Sequence, residues 1–320
     1  MKLVRTVLLF ALSLLLPIAG AAAQGAYPDK PVKIVVPFSG GSNTDILARI
    51  LSDKLSAMWH QPVVVENKPG IAGTISAAHS APDGYTLMLT SNGHTILNVL
   101  NKDIGIDAIK SFTGVAEVAS VPMLLVVTPN FQAATLKDFI AQAKANPGKF
   151  GFASAGLASS AFIAAELLKQ TAGLQIVHVP YRGTPEQMTS VMRGDTQLAM
   201  AFLGTGVPFI KAGQVRAVAI AAKARHPSLP DVPTFAEAGL PQYQYDSWFG
   251  VLAPAGTPEP IVKKVADDIA TVMKEADVHK RLDTLGAVPL VTTPAEFDAA
   301  IKSDAERYGA LLKAAGVTGK

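Results

Sequence analysis

Residues 34–58, IVVPFSGGSNTDILARILSDKLSAM, join a short apolar run to a segment of helical spacing through a loop rich in glycine and hydroxyl residues. A short apolar run bounded by turn residues is typical of a buried parallel strand. Apolar residues three and four apart are typical of an amphipathic helix. The stretch therefore predicts a strand over Ile34–Pro37, a loop at its carboxyl end, and a helix over Thr44–Met58.

The same alternation recurs along the rest of the chain. Further short apolar runs are predicted as strands at Val63–Glu66, Thr86–Thr90, Met123–Thr128, Phe150–Ala153, Ile176–Pro180, Gln197–Phe202 and Val215–Ala221. Segments of helical spacing lie between them, and two long helices are predicted to close the chain at Glu259–Lys274 and Pro294–Lys313. Strands that alternate with helices predict an α/β fold with mostly parallel sheets.

Three loops that follow predicted strands are rich in small and hydroxyl residues: residues 37–45, 90–95 and 154–160. In open parallel sheets, ligands gather at the carboxyl ends of strands, where helix N-termini offer N–H groups to anions. The loops 37–45 and 154–160 each precede a predicted helix, and together they therefore suit a carboxylate. A phosphate is not excluded, although the phosphate-loop pattern GxxxxGK[ST] is absent. The alternative is helix capping alone, with Asn43 or Thr44 as the capping residue.

Composition narrows the class of protein. The 320 residues are 49% hydrophobic and 17% charged, which suits two ordinary domains and excludes a disordered or fibrous chain. Without Lys2 and Arg5 of the leader, 26 basic side chains face 25 acidic ones, so a nucleic-acid partner is not expected. The chain has no cysteine, which removes disulfides and thiolate chemistry, and its six histidines show no metal-ligand spacing. We expect neither a metal nor a cofactor.

The first 23 residues have the pattern of a secretory signal peptide. Lys2 and Arg5 form a basic start, an apolar stretch follows, and Ala21–Ala23 provide small residues for cleavage before Gln24. The apolar run of residues 7–16 is too short for a membrane span, which needs about 20 residues. We therefore expect a protein exported to the periplasm of a Gram-negative bacterium.

The sequence does not match the enzyme motifs that it partly resembles. The segment Gly151–Gly156 resembles the GxSxG elbow of hydrolases, but Phe152 stands where that pattern needs glycine. A serine hydrolase would need an accessible Ser154 with a histidine and an acid in reach, and it stays an alternative on those terms. The dinucleotide pattern also fails, because Phe209 occupies the third glycine position after Gly204 and Gly206. A non-catalytic binding protein is the leading prediction.

Several motifs carry a family resemblance that extends from about Tyr27 to the C-terminus. They are YPDKPV at 27–32, PVVVENKPG at 62–70, PDGYTL at 82–87, HVPYRG at 178–183, DVPTFAEAGLP at 231–241, and Trp248 with APAGTP at 253–258. In this order they resemble the periplasmic solute-binding proteins of tripartite tricarboxylate transporters, also called the Bordetella uptake gene family. The resemblance implies a two-lobed periplasmic binding fold of type II that closes on a small carboxylate and delivers it to a membrane permease.

Proline, glycine and polar residues near Val127–Asn130 and again near Ser247–Pro254 predict two places where the chain passes between lobes. Lobe 1 is therefore expected over 24–127 and 251–320, and lobe 2 over 128–250. The resemblance implies that the ligand lies in the cleft between them, and we expect a monomer. The expected binding residues are Phe38, Ser39, Gly40, Gly41, Ser42, Asn43, Thr44, Ser91, Asn92, Ser154, Ala155, Gly156, Leu157, Ala158, Ser159, Phe162, Tyr181, Phe202 and Trp248.

The chain departs from the family pattern at two places. Ala161-Phe162 stands where Gly-His is usual after the second loop, and Met200-Ala201-Phe202 stands where Phe-Asp-Asn is usual. In members that bind amino acids, the aspartate can meet a ligand ammonium, which Ala201 cannot. The resemblance thus implies a ligand without an amine, with aromatic carboxylates first and aliphatic ones second. The aromatic contacts would be Phe162, Phe202 and Trp248, for which ordinary core packing is the alternative. A ligand sensor that signals to a membrane protein is the other alternative to transport.

Overall fold

A computed structural model describes residues 27–157, 159–314 and 316–317. The predicted signal peptide, residues 1–23, and Ala158 lie outside these ranges. The strands are β1 (Val32–Val36), β2 (Val63–Asn67), β3 (Thr86–Ser91), β4 (Phe112–Ser120), β5 (Met123–Val127), β6 (Gly151–Ser154), β7 (Val177–Pro180), β8 (Leu198–Phe202), β9 (Arg216–Ala221), β10 (Trp248–Pro254) and β11 (Val288–Pro289). The helices are α1 (Asn43–Trp59), α2 (Ile71–Ala78), α3 (Leu97–Leu100), α4 (Leu136–Ala145), α5 (Ser160–Ala172), α6 (Thr184–Arg193), α7 (Leu203–Lys211), α8 (Glu259–Val272), α9 (Ala276–Thr284) and α10 (Pro294–Ala314). A short 3₁₀ helix, Asn92–Ile96, follows β3.

The described strands form two sheets flanked by helices. The first has the order β11-β4-β10-β3-β1-β2, and the second has the order β7-β6-β8-β5-β9. In the first sheet β1 to β4 share one direction, and β10 and β11 run against them. In the second sheet only β5 runs against the other strands. The α/β prediction with mostly parallel sheets is confirmed, with antiparallel strands added where the chain crosses between sheets.

The chain first crosses between sheets at Val121-Pro122, earlier than predicted. The strand Met123–Val127, assigned to lobe 1 by the sequence, pairs with β8 and β9 in the second sheet. Proline has no N–H to donate to a ladder, so Pro122 separates β4 from β5. The punctuation near Pro129, which suggested the crossing, instead follows the end of β5.

The chain returns at Trp248, where a lobe crossing was predicted. The segment Trp248–Pro254 is a fully buried strand, β10, between β3 and β4 of the first sheet. Residues 248–250, assigned to lobe 2 by the sequence, thus belong to the first sheet. Gly250 inside this strand and Pro254 at its end interrupt the apolar pattern, and the sequence did not predict it. The strands β4 and β11 were not predicted either.

Gly250 lies at the centre of β10 and allows α10 to pack against the sheet. A Cβ atom at this position would lie 2.2 Å from Cζ of Phe297, whose ring is fully buried. No side chain tolerates such an approach, so either the helix or the strand would have to move. This close contact fixes the distance between α10 and the first sheet.

We predict that Gly250→Ala lowers the free energy of unfolding by about 1–3 kcal/mol, the usual cost of overpacking a core. Gly309→Ala is the control, because Gly309 lies in α10, the helix that carries Phe297. A Cβ added at Gly309 would lie an ordinary 3.6 Å from Val99. Urea unfolding of the two variants measures the difference. Equal stability of the two variants would contradict the packing described here.

Candidate functional site

The first loop joins β1 to α1 and ends in a side-chain cap. Ser42 has an extended backbone, and its Oγ accepts a hydrogen bond from the N–H of Asp45 at 3.2 Å. The capping residue is therefore Ser42, and the expected caps Asn43 and Thr44 are the first two residues of the helix. Gly40 and Gly41 are exposed, Ser39 is half-buried, and Phe38 is buried against the core.

The carboxylate of Asp45 holds this loop from behind. It accepts hydrogen bonds from the N–H of Gly41 at 2.9 Å, from Asn67 Nδ2 at 3.0 Å and from Arg49 Nε at 3.1 Å. Burial raises the pKa of Asp45, but the hydrogen bonds from Arg49, Gly41 and Asn67 outweigh burial and hold that pKa below its usual value. Asn67 also donates to the carbonyl of Phe38 at 3.2 Å. The loop is thus prearranged by side chains that the sequence pattern did not assign to the site.

The N–H groups of Asn43 and Thr44 remain available at the start of α1. The first N–H groups of a helix have no partner within the helix, and here those of the N-cap Ser42 and of Asp45 are used inside the loop, by the Ser39 carbonyl and the Ser42 hydroxyl. No protein partner is found for those of Asn43 and Thr44 among the described residues. Two free donors at the positive end of a 17-residue helix make a site for an anion.

The second loop, between β6 and α5, repeats this arrangement. Ser159 caps α5 by accepting the N–H of Phe162 at 3.2 Å, and its hydroxyl donates to the carbonyl of Gly156 at 2.6 Å. Ala155 and Gly156 are half-buried, while Leu157 is exposed at the tip of the loop. The predicted loop residue Ala158 lies outside the described residues.

Ser154 forms a pair with His178. The Oγ of Ser154 lies 2.7 Å from Nε2 of His178 and also donates to the carbonyl of Gly156 at 3.1 Å. Burial first, and the nearby Lys169 second, lower the pKa of His178 to about 4, so the ring is neutral at pH 7. Ser154 is fully buried, and no described carboxylate is hydrogen-bonded to His178. The pair therefore lacks both the access and the acid that a serine hydrolase requires.

Contacts between the sheets bring the two loops together. Thr205 on α7 donates to Oδ1 of Asn43 at 2.8 Å, and Ser160 on α5 donates to Oδ1 of Asn92 at 2.6 Å. Gly183 approaches Ser39 so closely that an added Cβ would lie 1.9 Å from Ser39 Oγ. These contacts join the two sheets beside the start of α1 and beside the start of α5.

The loop at residues 90–95 contributes Asn92 to the contact between the sheets. Asn92 is fully buried, and its Oδ1 also accepts from the hydroxyl of Tyr245 at 3.0 Å while its Nδ2 donates to the carbonyl of Asp246 at 3.2 Å. Burial raises the pKa of Tyr245 well above its usual value, so this hydroxyl stays a donor. The neighbouring Ser91 is buried at the end of β3. Asn92 thus connects the two sheets, and both polar atoms of its side chain have protein partners.

The expected aromatic contacts do not come together. The Phe162 ring is buried beside His178, with ring centres 4.7 Å apart, and Trp248 donates from Nε1 to Asp304 at 2.8 Å in the core beneath α10. Phe202 is buried in the same core cluster as Phe249 of the first sheet, with the two ring centres 5.2 Å apart. The core-packing alternative explains Phe162 and Trp248, because apolar periodicity alone cannot distinguish a ring facing a cleft from one facing a helix.

Two more positions are also occupied by internal contacts. The hydroxyl of Tyr181 lies 2.6 Å from Oγ of Ser190, away from the loop backbone. Ala201 is fully buried in the apolar cluster that includes Leu124 and Met188. No carboxylate stands at position 201.

The described residues contain neither a cluster of metal ligands nor a helix suited to span a membrane. No group of three or more His, Asp or Glu side chains within residues 27–157, 159–314 and 316–317 could hold a metal ion. Among the same residues, no helix combines the length and apolar character of a membrane span.

Two mixed sheets flanked by helices, with contacts between them at the starts of α1 and α5, have the architecture of a periplasmic binding protein. The sequence matches the family described as "Tripartite tricarboxylate transporter family receptor" over residues 47–317, so the chain belongs to this family. It is 32% identical over 319 residues to Protein BugT of Bordetella pertussis, covering 97% of this chain and 98% of BugT.

Solved structures agree with this membership. The chain resembles "R. palustris Rpa4515 with adipate" with a TM-score of 0.85 and 32% identity, covering 92% of this chain and 100% of that one. It resembles "MatC (Rpa3494) from Rhodopseudomonas palustris with bound malate" with a TM-score of 0.83 and 32% identity, covering 89% and 100%. The family predicted from the sequence motifs is confirmed.

The two buried histidines predict a pH dependence of stability. Burial lowers the pKa of His94 and of His178 to about 4, whereas an unfolded histidine has a pKa near 6.5. Between these values the unfolded chain takes up protons and the folded chain does not. The free energy of unfolding should therefore fall as the pH drops from about 6.5 to about 4, by about 2 kcal/mol per histidine at pH 5.

Urea unfolding at pH 7 and pH 5 measures this loss. His178→Gln removes one of the two groups, so the difference between the two pH values should shrink by about half. An unchanged difference in this variant would show that His178 does not contribute.

Proposed function

We propose that this protein captures a small organic carboxylate between loops 38–44 and 154–160 and delivers it to the permease of a tripartite tricarboxylate transporter. The observation that carries the proposal is the pair of N–H groups of Asn43 and Thr44, which have no partner among the described residues and follow a loop held by the Asp45 network. Adipate and malate in two structural neighbours support a carboxylate as the ligand class.

Electrostatics favour an anion at this place. In the proposed complex the starts of α1 and α5 both face the ligand, and each helix N-terminus stabilises a negative charge by about 0.3–2 kcal/mol, depending on burial. Asp45, the acidic residue of the first turn of α1, is neutralised by Arg49 at 3.0 Å. A carboxylate thus meets backbone donors without facing an unpaired negative charge from that residue.

We further propose that the ligand lacks an amine. Ala201 offers no carboxylate to an ammonium group, and it lies among apolar side chains. Because Phe162 and Trp248 lie in the cores, we propose aliphatic dicarboxylates as the first candidate ligands and aromatic carboxylates as the second. Phe202 also packs in a buried core cluster.

The proposed cycle follows from the two-lobed architecture. Each sheet with its helices forms one lobe, and ligand capture stabilises the arrangement in which the loops face each other. We propose that the predicted signal peptide exports the protein, which then acts as a monomer. The permease would recognise its closed shape. A sensor would use the same closed form, and deletion of the gene followed by uptake and transcript measurements separates the two roles.

The ligand class is tested by a thermal-shift screen of the chain from Gln24 onward. The panel holds adipate, malate, benzoate and phthalate with their amides, together with aspartate and glutamate. We expect one carboxylate class to raise the melting temperature by several degrees, since a ligand at 100 times its dissociation constant adds about 2.7 kcal/mol. Stabilisation by amides alone, or by no carboxylate, would contradict the proposal.

The second loop is tested by removing its cap. Ser159→Ala should lower stability by about 1 kcal/mol and also weaken carboxylate binding, because Ser159 fixes the start of α5. Thr135→Ala is the matched control, since it removes the cap of α4 in an exposed turn. The control should lose similar stability and bind normally. Equal binding by both variants would remove the second loop from the site.

A hydrolase is tested with the Ser154–His178 pair. We expect no turnover of p-nitrophenyl esters by the wild-type chain, because Ser154 is buried. Turnover that disappears in Ser154→Ala would instead establish the enzyme.

A further inference from the structure

We propose that Thr205 is a positioning residue that orients the Asn43 side chain when the lobes close, so that its amide NH₂ group binds the ligand. The inference rests on the proposed carboxylate site and deepens it. It adds a side-chain contact to the backbone donors, and it makes that contact depend on the opposite lobe.

The starting observation is an unpartnered buried donor. Asn43 is 1% exposed, and its Nδ2 atom has no hydrogen-bond partner among the described residues. Leaving a buried amide donor unpaired is unfavourable, so a group that accepts a hydrogen bond is expected there. The same residue carries one of the two free backbone N–H groups at the start of α1.

Thr205 determines which end of the amide is left free. Its hydroxyl donates to Oδ1 of Asn43 at 2.8 Å, which directs Nδ2 away from Thr205. This hydrogen bond joins two helix starts on different sheets. The helix α7 follows β8 of the second sheet, and α1 follows β1 of the first sheet. Opening of the cleft would break the bond and release the amide to rotate.

The position of Thr205 does not depend on its own hydroxyl. The N–H of Gly204 donates to the carbonyl of Leu285 at 3.0 Å, and a Cβ on Gly204 would lie 2.4 Å from the Leu285 backbone. The N–H of Leu203 donates to the carbonyl of Pro122 at 2.9 Å. These backbone contacts hold the start of α7, so removal of the Thr205 hydroxyl should leave the helix in place.

The chemistry of Nδ2 restricts the ligand. An amide NH₂ group donates hydrogen bonds and does not accept them, so its partner is an oxygen of a carboxylate, a hydroxyl or a carbonyl group. An ammonium group has no acceptor to offer. Asn43 therefore favours the carboxylate, or a hydroxyl next to it, over an amino group at the same place.

The experiment is a double-mutant cycle with the carboxylate probes malate and adipate, measured by calorimetry. Thr205→Val should weaken binding by about fivefold, the value of one hydrogen bond, and Thr205→Ser should bind almost as the wild type does. Asn43→Ala should weaken binding at least as much. The variant that combines Asn43→Ala with Thr205→Val should bind no worse than Asn43→Ala alone, because Thr205 acts through Asn43.

Thr171→Val is the control for loss of a threonine hydroxyl in the same lobe. Its Oγ1 donates only to the carbonyl of Leu167 within α5, so its binding should match the wild type. Unchanged binding in Thr205→Val, or the same loss in the presence and absence of the Asn43 side chain, would overturn the inference while leaving the carboxylate site intact. If neither malate nor adipate binds, the carboxylate that stabilises the chain in the screen replaces them. If no carboxylate binds the wild type, the proposed function fails, and this inference fails with it.

Discussion

The N–H groups that no helix can satisfy internally at its start are the constraint on which this site depends. At the start of α1 the loop uses the N–H groups of Ser42 and Asp45 for its own structure, and no described protein partner takes those of Asn43 and Thr44. The Asp45 carboxylate makes this division possible, because it neutralises Arg49 and ties the loop to Asn67. In the proposed complex, an anionic ligand would accept the hydrogen bonds of these two remaining N–H groups.

The arrangement of the sheets places polar contacts between them beside the starts of α1 and α5. Antiparallel β10 and β5 are inserted next to parallel strands, so the chain passes twice between the sheets at Val121-Pro122 and before Trp248. The cleft is therefore spanned by polar contacts of Asn43 with Thr205 and of Asn92 with Ser160. A bond between lobes that also orients a ligand donor would couple binding to closure, which is the property that a permease can recognise.

Much of the fold could be predicted from the sequence, and less of the site. Short apolar runs before glycine-rich loops identified β1, β6 and the helices that follow, because each is a local pattern. The strand β10 was missed because its burial depends on neighbours distant in sequence. The Asp45–Asn67 bond and the Asn43–Thr205 bond join residues 22 and 162 positions apart, and no local pattern reports them. Phe162 and Trp248 show the converse, since their residue type suggested a ligand contact and their tertiary neighbours place them in cores.

The central claim is that a ligand carboxylate meets the start of α1. An NMR titration of the ¹⁵N-labelled chain with the carboxylate that stabilises it tests this most directly. We expect the largest backbone amide shifts at Asn43 and Thr44, with the Asn43 side-chain amide shifting alongside them. Shifts confined to another cavity, such as the groove between α8 and α10 lined by Val262 and Ala266, with Asn43 and Thr44 unmoved, would contradict the claim.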